Sequence, residues 1–180
     1  MLDPALRDQI LAAVPSLRAF AMSLTNKPDR ADDLVQDALV RAVTHIGRFD
    51  VGTNLHAWLF TILRNVFHSE YRRRKREVED ADGSYAVRLS APPEQNARLD
   101  FEDFRKALAH IPADQREALL LVGAEGLSYE QAAQVCGIAV GTLKSRVHRA
   151  RARLAQLLAA EHESEFDSDP MIKAALHDPK

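Results

Sequence analysis

The chain has 180 residues, 24 Lys+Arg against 26 Asp+Glu, and is 46% hydrophobic. That length suits one large or two small domains, and the apolar fraction is enough for packed cores rather than wholesale disorder. The longest apolar runs, such as Leu119–Val122, fall far short of the roughly 20 residues of a membrane span. No basic region leads into an apolar stretch after Met1, so neither a secretory signal nor membrane insertion is expected. The single cysteine, Cys136, excludes an internal disulfide and a multi-cysteine zinc site and fits a reducing, cytoplasmic setting.

The net charge of −2 hides a strong pattern. Residues 61–76 hold 6 basic and 1 acidic side chains, and residues 128–160 hold 5 and 1. The intervening residues 77–103 hold 2 and 8, and residues 161–180 hold 2 and 6. Two basic islands therefore alternate with acidic stretches, and a near-neutral total does not exclude nucleic acid as a partner.

The apolar spacing is helical nearly throughout, and the chain reads as all-α. A first helix is expected to run to about Leu24, with Pro15 in its first turn. The turn Asn26–Asp29 precedes a second helix over 29–42, whose stripe is Ala31, Leu34, Val35, Ala38 and Ala42. Its other face carries Asp29, Asp32, Asp33, Gln36, Asp37 and Arg41, which suits solvent or a basic partner surface. A magnesium-binding aspartate cluster is the weaker alternative for Asp32, Asp33 and Asp37, because the spacing is off by one and no second acidic motif follows.

After the loop Asp50–Asn54, a third helix has the stripe Leu55, Trp58, Leu59, Ile62, Leu63, Val66 and Phe67. Trp58 is expected in the core. Phe60 lies off the stripe and is expected to be partly exposed or covered by the preceding loop. The opposite face carries Thr61, Arg64, Asn65, His68, Tyr71 and Arg72 and runs into Arg73–Arg76. Cations, an amide and an aromatic ring on one face fit nucleic acid, where bases can stack on rings. A solvated helix end is the plain alternative.

Periodicity fades from about Glu77, and Ala91–Pro93 interrupts, so residues 77–97 read as a flexible acidic linker. The pattern restarts with Phe101, Phe104, Leu108 and Ile111, and Pro112 ends that helix. Asp114–Glu117 has the spacing of a capping box, as does Ser128–Gln131. A short helix follows Ser128, with Ala132, Ala133, Val135 and Cys136 inward and Gly137 in a left-handed turn. A longer helix then runs to about Leu158, with Leu143, Val147, Ala150 and Leu154 inward. Helix, glycine turn and longer helix is the arrangement of a DNA-binding helix-turn-helix, whose second helix enters the major groove. Lys144, Ser145, His148 and Arg149 are placed for base edges or nearby phosphates. Arg146, Arg151 and Arg153 flank them as backbone contacts. A packed helical hairpin with a solvated basic face is the competing reading. Catalysis finds little support: the seven histidines show no metal-binding helix pair, and there is no glycine-rich phosphate loop. No cofactor or metal site is expected.

The stretches Asp29–Asp37, Phe49, Ala57–Asn65 and Tyr71–Arg73 resemble the first domain of extracytoplasmic-function (group 4) sigma factors of bacterial RNA polymerase. Ile111-Pro112, Arg116-Glu117, Gly126–Ala133 and Val140–Arg151 resemble their second. The resemblance spans about residues 10–160 and implies a non-enzymatic promoter-specificity subunit built from two small helical domains. It implies a region 2 domain over residues 1–76, the linker 77–97, a region 4 helix-turn-helix over 98–160 and an acidic tail over 161–180. It further implies a core polymerase face of Asp32, Asp33, Gln36, Asp37 and Arg41. The −10 element would fall to Asp50, Asn54, Arg64, Asn65, His68, Tyr71 and Arg72. The −35 duplex would fall to Thr142, Lys144, Ser145, Arg146, His148, Arg149 and Arg153. Partners are then core RNA polymerase, promoter DNA and a small helical anti-sigma protein, as in the general-stress-response group. A sigma-like decoy that only captures an anti-sigma protein, and a stand-alone helix-turn-helix regulator, are the alternatives. Whether the two domains pack together is left open.

Overall fold

The computed structural model describes residues 3–79 and 97–168. The described residues form α1 (Pro4–Thr25), α2 (Pro28–Thr44), a single 3-10 turn (Ile46–Arg48), α3 (Leu55–Glu79), α4 (Ala97–Ala109), α5 (Ala113–Gly123), α6 (Tyr129–Cys136) and α7 (Val140–Ser168). The expected all-α, two-unit architecture is present: α1–α3 form one bundle and α4–α7 a second.

The helix ends follow from local chemistry. Asp3 caps α1 by accepting from the Ala5 N–H at 2.9 Å. Asn26 ends it in the left-handed region (φ 53°), a conformation an asparagine tolerates well. Pro15 lies inside α1, not in its first turn, where Pro4 stands instead. The interior proline is tolerated because Pro15 and Leu11 both lie on the exposed face, so the Leu11 carbonyl that loses its partner stays in water. The Ser128 capping box forms as expected, with Ser128 Oγ accepting from the Gln131 N–H at 3.1 Å and Gln131 Oε1 from the Ser128 N–H at 3.0 Å. The box expected at Asp114–Glu117 does not form: the N-cap is Pro112, two residues before Asp114, and Glu117 is engaged elsewhere. Both long helices outrun their expected ends, α3 into the stretch read as linker and α7 into the stretch read as tail. Ala97, the last residue read as linker, opens α4, and residues 80–96 and 169–180 lie outside the described residues.

The first bundle packs Leu17, Phe20, Leu34, Leu59, Phe60, Leu63 and Val66 into a dry core. Phe60 is a correction to the periodic reading, being 0% exposed. The Phe20 ring lies edge-on to it at 5.1 Å and the His56 ring at 4.7 Å. The physical reason is that α3 is covered on more than one side, by α1 and α2 and also by α6 of the second bundle, so a one-stripe pattern underestimates its buried surface. The second bundle buries Ala118, Leu121, Ala132, Leu143, Val147 and Ala150. Its buried Arg116 sends Nη1 to the carbonyls of Leu108 and Ala109 at 3.3 and 3.4 Å. The end of α4, where orphan carbonyls gather, is thereby closed by a side chain from α5. Burial lowers the Arg116 pKa from its ordinary value.

Candidate nucleic-acid interface

Four features could meet partners. The first is the outer face of α2. Asp33, Gln36, Asp37 and Arg41 are exposed, and so are the apolar Val40 (59%) and Val43 (50%). Asp32 differs from its neighbours. Its carboxylate accepts from Arg18 of α1 in a two-toothed pair, Nε to Oδ1 and Nη2 to Oδ2, which holds it below the usual carboxylate range. Among the described residues no cluster of three or more His, Cys, Asp or Glu could hold a metal ion, so the aspartate-cluster alternative gains no support.

The second is a groove of about 350 Å3 between the end of α2, the 3-10 turn and α3, lined by Arg41, His45, Arg48, Trp58, Thr61, Ile62 and Asn65. Trp58 forms an aromatic wall, braced by Phe49 with ring centroids 5.3 Å apart. It is half-buried rather than fully in the core. Thr61 spends its hydroxyl proton on the Ala57 carbonyl at 2.9 Å, while the Asn65 side chain is exposed at the rim. An apolar floor, one amide and three basic side chains can hold a flat heterocycle and the phosphates beside it. The loop before α3 is organised by its own residues. The Asp50 carbonyl accepts from the Thr53 N–H and Oγ1, and Asn54 Oδ1 caps α3 by accepting from the Ala57 N–H at 3.1 Å. Asn54 is therefore first a helix cap.

The third is the rest of the α3 face, and here tertiary structure intervenes. Arg64 and His68 face the second bundle. Arg64 Nε donates to Glu117 Oε1 at 2.6 Å, with side-chain exposures of 17% and 4%. His68 Nε2 lies 3.8 Å from the same oxygen, and His56 Nε2 lies 3.9 Å from Glu125 Oε2. Burial pushes the Glu125 carboxyl above its ordinary range, against the opposing pull of His56 and of a hydrogen bond with Ser16. Cys136 of α6 is buried beside Arg64. Burial, reinforced by the Glu117 charge, pushes its thiol up to about 12, with Arg64 and Arg146 pulling the other way. Tyr71 remains exposed and stacks on Phe67 at 6.5 Å, and Arg72 Nε donates to the His68 carbonyl at 3.3 Å. Glu117 and Glu125 are site residues the sequence reading did not single out. The available signal was a charged pair, Arg116-Glu117, running directly into the apolar stretch Ala118–Val122.

The fourth is the helix-turn-helix. Gly137 turns at φ 65°, a left-handed geometry that glycine adopts without the steric cost most side chains would carry. Leu143, Val147 and Ala150 anchor α7, while Thr142, Lys144, Ser145, His148, Arg149 and Arg153 are exposed. Lys144 Nζ sits 5.6 Å from the Tyr129 ring centroid, a cation–π contact tying the start of α7 to α6. Arg146 stands apart from that row, because its Nε lies 3.2 Å from Asp114 of α5 and its side chain is largely covered.

The first bundle matches the family model described as Sigma-70 region 2 over residues 10–77, and the second matches Sigma-70, region 4 over residues 101–154. Together they define a two-domain sigma factor, a class of non-enzymatic transcription initiation factors. The chain is 61% identical over 175 residues, 97% of each protein, to the ECF RNA polymerase sigma factor EcfG of Rhodopseudomonas palustris. It is 40% identical over 124 residues to the ECF sigma factor SigC of Mycobacterium tuberculosis, covering 67% of this chain and 66% of that one. Among solved structures it is similar to the sigma factor RpoE in complex with the anti-sigma factor NepR from Bartonella quintana. The TM-score is 0.79 at 52% identity, over 87% of this chain and 98% of that one. It is also similar to CnrH in complex with the cytosolic domain of CnrY, with TM-score 0.65 at 28% identity, over 87% and 88%. The chain belongs to the extracytoplasmic-function sigma factors of RNA polymerase.

Proposed function

We propose that this chain is a cytoplasmic, anti-sigma-controlled sigma factor of a stress response and that its four surfaces divide the work of promoter recognition. Asp33, Gln36, Asp37 and Arg41, with Val40 and Val43 among them, dock on core polymerase. The groove walled by Trp58 takes an unstacked base of the −10 element. Asn65 reads that base, and Arg48 holds the flanking phosphate. Arg64, His68, Tyr71 and Arg72 continue the strand's path along α3. Lys144, Ser145, His148 and Arg149, flanked by Thr142 and Arg153, read the −35 duplex from the major groove, and Arg146 supports α7 through Asp114. Residues 1–76 and 98–160 thus hold the two DNA-reading domains, joined through 77–97. The observation that carries this reading is the groove, where an aromatic wall, an amide and three basic side chains converge on the face of α3. Control by a small helical anti-sigma protein is supported by the likeness to RpoE in its complex with NepR, which spans both bundles.

Run-off transcription with core polymerase tests the whole reading, and no initiation at any promoter would refute it. Charge reversal of Asp33 and Asp37 to Lys should abolish core binding in a pull-down while helix content by circular dichroism stays unchanged. Unimpaired core binding would remove α2 as the docking face.

A further inference from the structure

On α3, His56, Phe60, Arg64 and His68 recur every four residues and so form a single row along the helix. The second bundle sets two carboxylates against that row, Glu117 from α5 and Glu125 from the turn after it. Glu117 pairs with Arg64 and lies near His68, and Glu125 lies near His56. Both are almost closed off from water, with side-chain exposures of 4% and 8%. Among the described residues, the side-chain ion pairs and hydrogen bonds of Glu117 and Glu125 all cross to the first bundle: to Arg64, His68, His56 and Ser16. Neither carboxylate serves the bundle that carries it. His68 Nε2 is shut off from solvent and makes no hydrogen bond there, so the row is covered without its polar groups being fully matched.

This chemistry is that of a stand-in. A carboxylate offers a guanidinium the same pair of anionic oxygens as a backbone phosphate does. The pairs are also a weak latch. Closing strips water from at least two charges, and the attraction gained roughly offsets that cost, so a competing anion that leaves the row better solvated can displace them. We infer that Glu117 and Glu125 act as phosphate surrogates that hold the free chain closed on itself, occupying the α3 cations that promoter DNA takes in the open form. The inference rests on the reading of α3 as a DNA-binding face.

Cys136 reports closure, because its buried thiol adjoins Arg64 at the seam between the bundles. The test uses the full chain and the isosteric double variant E117Q/E125Q, with two readouts. One is the alkylation rate of Cys136 by N-ethylmaleimide. The other is the anisotropy of a labelled single-stranded oligothymidylate of about 12 nucleotides, within the usual site size for single-strand binding. If about nine-tenths of the wild type is closed, opening raises apparent affinity about tenfold, and alkylation should speed by a similar factor. Rates and affinities within about twofold of wild type would overturn the proposal. Faster alkylation without tighter binding would also overturn it. Initiation by the R64A holoenzyme then separates the two failures: if it is lost, the α3 reading stands and only the competition fails; if it is retained, the α3 reading fails as well. In case the double variant does not fold, the wild type provides its own check. Saturating oligothymidylate should speed Cys136 alkylation, and a rate indifferent to the oligonucleotide overturns the proposal.

Discussion

Arg146 and Arg149 are three residues apart on α7, and the structure predicts different consequences for their loss. Arg149 is exposed, so its truncation leaves folding within about 0.5 kcal/mol of wild type, as for most surface sites. A bidentate contact to a guanine edge is worth about 1–3 kcal/mol, so R149A should weaken binding to the cognate −35 duplex by about 5–150-fold and relax specificity at one base pair. Arg146 is mostly covered and its Nε reaches Asp114 at 3.2 Å, so R146A removes a partly screened ion pair between α5 and α7. The expected cost is about 0.5–1 kcal/mol of stability, and any binding loss should be similar on cognate and scrambled DNA. Anisotropy titrations on cognate and scrambled duplexes, at several salt concentrations, read both effects. An equal loss for R149A on all sequences, with a salt slope lowered by about 1, would mean a phosphate contact and refute base reading by Arg149. A sequence-dependent loss for R146A would refute its assignment as a brace.

Two further predictions concern the interior. F60A removes a ring that is 0% exposed and packed on Phe20, so it should cost about 3–5 kcal/mol in urea unfolding, and a loss below about 1 kcal/mol would mean that α1 and α3 are not packed as described. Cys136 gives a pH prediction: its thiol is raised to about 12, so the folded state holds its proton more tightly than the unfolded state. That contribution is fully present below the ordinary thiol value and is lost as the pH rises from there toward about 12, so C136A should flatten the alkaline fall in melting temperature. Parallel alkaline slopes for C136A and wild type would contradict the burial argument.

The one-dimensional pattern was sufficient for everything set by neighbours in sequence. The stripes of α2 and α7, the Ser128 capping box and the Gly137 turn depend on residues three or four apart, and all are present. The motifs spread over both halves were enough for the family. Three things were decided only in three dimensions. Phe60 is core because α3 is enclosed by both bundles, which no single helical period encodes. Asp32 and Arg146 are each tied to another helix, Asp32 to Arg18 and Arg146 to Asp114. Arg64 meets Glu117, 53 residues away in the chain, and this contact turns the basic α3 face from a free surface into an interface. Periodicity and capping are short-range and cheap to satisfy locally, whereas pairing charges across two bundles depends on how whole faces fit and on the water they exclude. Local spacing therefore sets the helices and carries the motifs of the family, whereas the packing of the two bundles sets which of their charged residues are open to a partner.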